Sequence, residues 1–259
     1  MKLVVLSDAK AMNGYGSEHG LSFFLEVDGQ QTLFDTGASD LFLKNARILG
    51  VNLSKVDRIV LSHGHYDHGN GLQFLDGLPL LCHPGCFVKR YRKSGYGELG
   101  LVLSRAEIEA KFALQTSRKP VQLSEHLYFL GEVPRMNAFE ARSTKYLLEG
   151  GTEDFITDDS GLACITTQGL VVISGCAHSG ICNMIEHARQ VTGVDRVEAV
   201  LGGFHLSGLN VQARSTIQFL DDLGVHQVLP SHCTLEPALS AFRARFMGGE
   251  LVVGSRHCF

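Results

Sequence analysis

Leu61-Ser62-His63-Gly64-His65-Tyr66-Asp67-His68-Gly69-Asn70-Gly71 is the stretch on which the reading of this chain turns. Three histidines and an aspartate fall within six positions, directly after the run Arg58-Ile59-Val60-Leu61. That run predicts a buried strand, and the ligand-type residues stand where it gives way to a loop. His63 and His65 are two apart, so both can point the same way from an extended segment. Asp67 and His68 follow a turn and can face a second position nearby. Neutral imidazole nitrogen and carboxylate oxygen suit zinc, and also iron or manganese. The layout can hold two metal ions about 3.5–4 Å apart. A lone histidine is by default a polar loop residue, but four ligand-type residues at this spacing are not explained that way.

Outward from this stretch, the chain has 259 residues, 44% of them hydrophobic, which is enough for a large core. We read residues 1–259 as one domain, with variable segments around 86–120 and 134–156. The formal net charge of −4 shows no nucleic-acid footprint. Lys89-Arg90-Tyr91-Arg92-Lys93 reads as a solvated helix end, or as a patch meeting an anionic ligand. Seven scattered cysteines do not make a disulfide framework. Met1 to Asp8 reads as a first strand rather than a signal peptide, and no apolar stretch approaches a membrane span. These features predict a reduced, cytoplasmic, soluble protein.

Ser22–Val27 and Gln31–Phe34 flank Asp28-Gly29, a hairpin signal. Leu41 to Leu49 has helical spacing and stops at Gly50, and Leu72 to Leu75 should continue a helix begun at the ligand loop. Ser104-Arg105-Ala106-Glu107 is a capping-box pattern. Tyr91 to Gly100 reads as an exposed loop, able to form a lid. Gly161–Thr167 and Leu170–Ser174 form a second hairpin. Strands and helices then alternate: helix 181–192, strand 197–201, helix 211–223, strand 226–229, helix 235–247 and a last strand 250–253. Hairpins followed by alternation, in both halves, predict an α/β fold of two mixed sheets covered by helices. His178, His205 and His232 each follow a predicted strand, and ligands at strand ends on one edge of a sandwich converge in space.

His63-Gly64-His65-Tyr66-Asp67-His68 resembles the His-x-His-x-Asp-His signature of the metallo-β-lactamase superfamily. Ser174-Gly175-Cys176-Ala177-His178-Ser179-Gly180 resembles its third motif and Pro230-Ser231-His232-Cys233 its fifth. The resemblance implies a four-layer αββα sandwich. It assigns His63, His65 and His178 to a first metal and Asp67, His68 and His232 to a second, zinc above all, as one ion or two. It also implies that Asp35, in Leu33-Phe34-Asp35-Thr36-Gly37, supports a ligating histidine from beneath. Glu18-His19-Gly20-Leu21-Ser22, Gly202-Gly203-Phe204-His205-Leu206 and Ser231-His232-Cys233-Thr234 resemble a narrower group named for a dihydropterin-methyl-ribofuranosyl-aminobenzene phosphate synthase.

One departure stands out. Where the superfamily places an aspartate bridging both metals, this chain offers Gly202-Gly203-Phe204-His205. An imidazole has one free lone pair and cannot bridge as a carboxylate does. A site left more positive should favour anionic substrates such as phosphate esters. The expected activity is therefore hydrolysis of a small anionic substrate by metal-activated hydroxide. Asp67 would orient the water, and His205 or His19 would protonate the leaving group or grip the anion. An iron-dependent redox enzyme of the same fold and a non-catalytic metal- or ligand-binding protein remain as alternatives. Redox diiron relatives place Glu where this chain has His65, which argues against the first.

Overall fold

The computed structural model describes residues 1–95 and 97–259. Strands β1 (Lys2–Ser7), β2 (Ser22–Val27), β3 (Gln30–Phe34), β4 (Arg58–Val60), β5 (Pro79–Cys82), β7 (Ala113–Thr116) and β16 (Arg256–Cys258) build a seven-stranded sheet. Its order is β16-β1-β2-β3-β4-β5-β7, antiparallel as far as β3 and parallel beyond. A second sheet has the order β15-β14-β13-β12-β9-β8. It comprises β8 (Val121–Gln122), β9 (Leu127–Phe129), β12 (Gly161–Thr166), β13 (Gly169–Ser174), β14 (Val197–Gly203) and β15 (Gln227–Ser231). It too passes from antiparallel hairpins to parallel pairs, at β13–β14–β15. A small third sheet joins β11 (Glu153–Asp154), β10 (Tyr146–Leu148) and β6 (Arg90–Arg92).

The two-residue period of the strands divides their side chains between layers. Leu3 and Val5 of β1 enter the core between the sheets, whereas Val4 and Leu6 pack on the outer face. Val171 and Ile173 of β13 face the same inter-sheet core, and Leu170 and Val172 face outward. Each outer face is closed by helices. Phe42 and Ala46 of α1 (Leu41–Leu49) and Ile108 of α3 (Arg105–Lys111) cover the first sheet. Met184 and Ile185 of α4 (Ile181–Thr192), Leu220 of α5 (Val211–Asp222) and Phe242 of α6 (Ala238–Arg245) cover the second. The result is the four-layer αββα sandwich. α1 ends on Gly50 in the left-handed conformation, and Ser104 and Glu107 close the capping box of α3.

Two expectations are corrected and two are refined. Lys89 to Lys93 is not a helix end: residues 90–92 form β6, and Arg90 is fully buried. The stretch Tyr91–Gly100 begins in that strand and Tyr91 pairs with Glu98, while Tyr96 lies outside the described residues. The segment 134–156 supplies β10 and β11. The last strand is β16 rather than 250–253, where Leu251 and Val253 are buried in the inter-sheet core and Val253 touches Ala11 in a single bridge. Helix boundaries also tighten. The ligand loop passes through the single turn α2 (Tyr66–Gly69) into a 3₁₀ turn over Asn70–Phe74, and α6 starts after Pro237.

Candidate metal centre

Parallel strands deliver the site. The C-terminal ends of β3, β4, β13, β14 and β15 open onto one edge of the sandwich, the usual binding edge of parallel strands. Asp35 follows β3, Ser62 and His63 follow β4, and His178, His205 and His232 follow the three strands of the second sheet. Asp35, Ala177, His205 and His232 all have positive φ, at 58°, 49°, 50° and 53°. Such left-handed backbone costs energy at residues other than glycine and collects at sites the surroundings over-determine.

Asp35 is fully buried beneath the ligand loop. It accepts hydrogen bonds from the Ser62 N–H and hydroxyl, both at 2.7 Å, and its Oδ2 lies 2.7 Å from His68 Nδ1. On the other side the Gly64 N–H donates to Asp158 Oδ2 at 2.8 Å. A Cβ at Gly64 would stand 1.9 Å from the Cys86 carbonyl oxygen, so only glycine fits between His63 and His65. Asp158 is itself held by Arg90, whose Nη2 donates to Oδ1 at 2.8 Å. Burial would raise the Asp158 carboxyl; the Arg90 guanidinium holds it below its ordinary value.

His63, His65 and His178 bring one ring nitrogen each within 4.8 Å of the others. Burial drives the pKa of His63 and His178 well below the ordinary value and that of His65 down to about 3. All three are therefore neutral, the form that binds metal. His178 turns an edge to the cavity, yet its Nε2, like that of His65, is sealed from solvent without a hydrogen-bond partner. Buried polar atoms left bare need a missing partner, and converging imidazole nitrogens fit a cation.

Beside them, Asp67 Oδ2 lies 3.2 Å from His19 Nε2, 3.4 Å from His232 Nε2 and 3.8 Å from His68 Nε2. The compact trio here is His19, Asp67 and His232. His68, expected in that trio, sits slightly further off, with its Nε2 3.2 Å from Cys176 Sγ. Burial would raise Asp67, but the imidazoles of His68 and His232 hold it well below the carboxylate range. Burial would lower His232, but Asp67 and Asp8 raise it well above its ordinary value. This place favours positive charge, as a proton or as a metal ion.

His19, His65, Asp67, His178 and His232 line the floor of a cavity of about 580 Å³. His205 stands on its wall, ring centroid 4.3 Å from that of His178, with Nε2 3.4 Å from the Tyr146 hydroxyl. Tyr146, from β10, also sets its ring 5.1 Å from His65. Arg92 and Lys145, both exposed, stand at the rim. Tyr146 and Asp158 do not stand out in the sequence, and Arg90 shows there only as part of a basic run. They lie in strands of two or three residues and in a loop, where no spacing betrays their convergence.

The chain belongs to the metallo-β-lactamase superfamily, whose sequence model matches residues 15–79. Among its relatives is the 7,8-dihydropterin-6-methyl-4-(β-D-ribofuranosyl)-aminobenzene-5′-phosphate synthase of Methanocaldococcus jannaschii. It is 34% identical, over 90% of this chain and 86% of its own. An uncharacterized protein of the same organism is 30% identical over 91% of each chain. The crystal structure of Tm1679, a metal-dependent hydrolase of the β-lactamase superfamily, superposes with a TM-score of 0.88 and 31% identity, covering 100% of this chain and 99% of that one. Membership implies binding of a divalent metal ion, and the donor set described above suits one.

Proposed function

We propose that this protein is a metal-dependent hydrolase of a small anionic substrate, a phosphate ester or phosphodiester in the first instance. The observation that carries the reading is the convergence of bare, neutral imidazole nitrogens with Asp67 and His232 on the floor of a cavity rimmed by Arg92 and Lys145. His63, His65 and His178 would hold one cation. Asp67 and His232, with His68 or His19, would hold a second, zinc being the ion the donors suit best and iron or manganese the others. Bound there, a divalent cation brings the pKa of water to about 7 and polarises a phosphoryl or carbonyl oxygen.

The chain's own residues divide the remaining work. Asp67 stays ionised and accepts a hydrogen bond from the attacking water, fixing its direction. His205 Nε2 and the Tyr146 hydroxyl face the same space and can pass a proton to the departing oxygen. Arg92 and Lys145 attract the anion at the mouth. No carboxylate bridges the donor groups at His205, which leaves the floor more positive and favours anionic over neutral substrates.

The test is a substrate panel on metal-loaded protein. Phosphodiesters, phosphomonoesters and anionic thioesters should be cleaved in preference to neutral esters, with activity lost on chelation and in His65→Ala. Faster cleavage of neutral esters would overturn the charge argument, and turnover that survives chelation would overturn the hydrolase. The name of the M. jannaschii relative supports a narrower reading, a pterin-linked reaction on a phosphorylated substrate. Product analysis with a dihydropterin and a ribofuranosyl-aminobenzene 5′-phosphate would test it. A visible spectrum of anaerobically purified protein separates an iron redox enzyme, and silence across the panel favours a non-catalytic binding protein. We place the protein in a reducing compartment, the cytoplasm. In support, Cys82, Cys86, Cys164, Cys176, Cys182, Cys233 and Cys258 are all free thiols.

A further inference from the structure

Two thiols lie against the imidazole cluster, and the hydrolytic reading gives them no work. Cys176, His205 and Cys233 follow β13, β14 and β15, and each brings a ligand-type atom within 4.8 Å of the other two. All three open onto the cavity.

Their backbones are locked together. The Ser174 hydroxyl donates to the Gly203 carbonyl at 2.7 Å, the Gly203 N–H donates to the Gly175 carbonyl at 3.0 Å, and the Phe204 N–H donates to Thr234 Oγ1 at 3.0 Å. A Cβ at Gly203 would stand 2.4 Å from the Gly175 carbonyl oxygen and 2.7 Å from Cys233 Sγ, so only glycine fits between the neighbouring strand end and the thiol. The His205 N–H donates to Cys233 Sγ at 3.2 Å, the kind of outer hydrogen bond that orients a ligating sulfur. Ring atom Nδ1 of His205 is sealed from solvent with no hydrogen-bond partner, while Nε2 faces Tyr146. An imidazole anchored through one nitrogen and bare at the other is arranged as a metal ligand.

We propose that Cys176 Sγ, Cys233 Sγ and the His205 imidazole form a sulfur-rich cation site that adjoins the imidazole floor and meets it at Cys176, whose Sγ also groups with His63 and His68. Two thiolates and one imidazole suit a borderline or soft divalent ion, zinc first, with a fourth position open to the cavity.

The probe is cobalt(II), added anaerobically to metal-free, fully reduced protein. Wild type should show sulfur-to-cobalt charge-transfer absorption in the near ultraviolet. Zinc loading should give a sulfur shell at about 2.3 Å in X-ray absorption. The charge-transfer band should weaken in Cys176→Ser and in Cys233→Ser, vanish in the double variant, and persist in His65→Ala with fewer cobalt ions bound. Saturating zinc should also protect both thiols from alkylation. Cobalt bound to wild type without the band, or alkylation indifferent to zinc, overturns the site, and so does a Cys176–Cys233 disulfide in anaerobically prepared protein. The wild-type spectrum needs no variant to fold. A protein that shows the band yet cleaves nothing retains this site and loses the hydrolase, and the opposite pattern does the reverse.

Discussion

Asp35 shows how much of the candidate site rests on residues that touch no substrate. Its carboxylate meets three polar groups where no water reaches: the Ser62 N–H, the Ser62 hydroxyl and His68 Nδ1. In Asp35→Ala each buried group left bare costs about 1–3 kcal/mol. Losing the partner that orients His68 should also weaken metal binding by about 10–100-fold. Urea denaturation and competition against a chelating dye read the two effects separately, and an unchanged affinity would mean that His68 needs no such support. At this scale the sequence was legible where chemistry is concentrated. His63, His65, Asp67 and His68 crowd together, and His178 and His232 follow obvious strands. Tyr146 and Asp158 were not legible, because a tyrosine in a three-residue strand and an aspartate in a loop carry no pattern until the chain folds around them. The rank of His19 over His68 beside Asp67 is a matter of tenths of an ångström, which no spacing encodes.

Between elements, one buried ion pair matters most. Arg90 of β6 donates to Asp158 and lies 3.3 Å from Asp154 of β11, all three out of water. Removing one side of a buried pair leaves uncompensated charge, so Arg90→Met should cost about 3–5 kcal/mol in denaturant unfolding. Hydrogen exchange should speed at β10 and at the Gly64 amide, and protection unchanged at Gly64 would show that the third sheet and the ligand loop are independent. The two hairpins and the long helices could be read directly, since five or more residues give alternation and 3.6-residue spacing room to show. Strands β6, β10 and β11 could not, because two or three residues hold no period. β16 was hidden for another reason. Arg256-His257-Cys258 is an edge strand held by backbone pairing with β1, while the more apolar Leu251 and Val253 nearby fill core without joining a ladder.

Across the whole molecule, the sheets are tied at the far side as well as through the core. Asp28, at the β2–β3 turn, reaches the loop before β9, accepting from the Ser124 hydroxyl at 2.7 Å and the His126 N–H at 2.8 Å. Its Oδ1 is 2.8 Å from His126 Nδ1. The hydrogen bond with Asp28 raises the pKa of His126 above 6.5. Slight burial would raise Asp28, but Ser124 and His126 bring it below 3.8. The His126 contribution is thus complete below 6.5 and fades as pH rises through its raised value. The Asp28 contribution is complete above 3.8 and fades as pH falls through its lowered value. NMR titration should find the His126 pKa lower in Asp28→Asn, and an identical curve would deny the tie. Metal removal acts on the whole fold too. An ion present at about 100 times its Kd adds about 2.7 kcal/mol, so chelation should lower the melting temperature and zinc should restore it. Arg90 carries one more consequence. The carboxylate that grips it also fixes the amide between His63 and His65, so the third sheet and the ligand loop share a fastening. Substitution of Arg92 or Lys145 at the mouth should leave that fastening intact, whereas substitution of Arg90 should disturb the third sheet and the ligand loop in the same step.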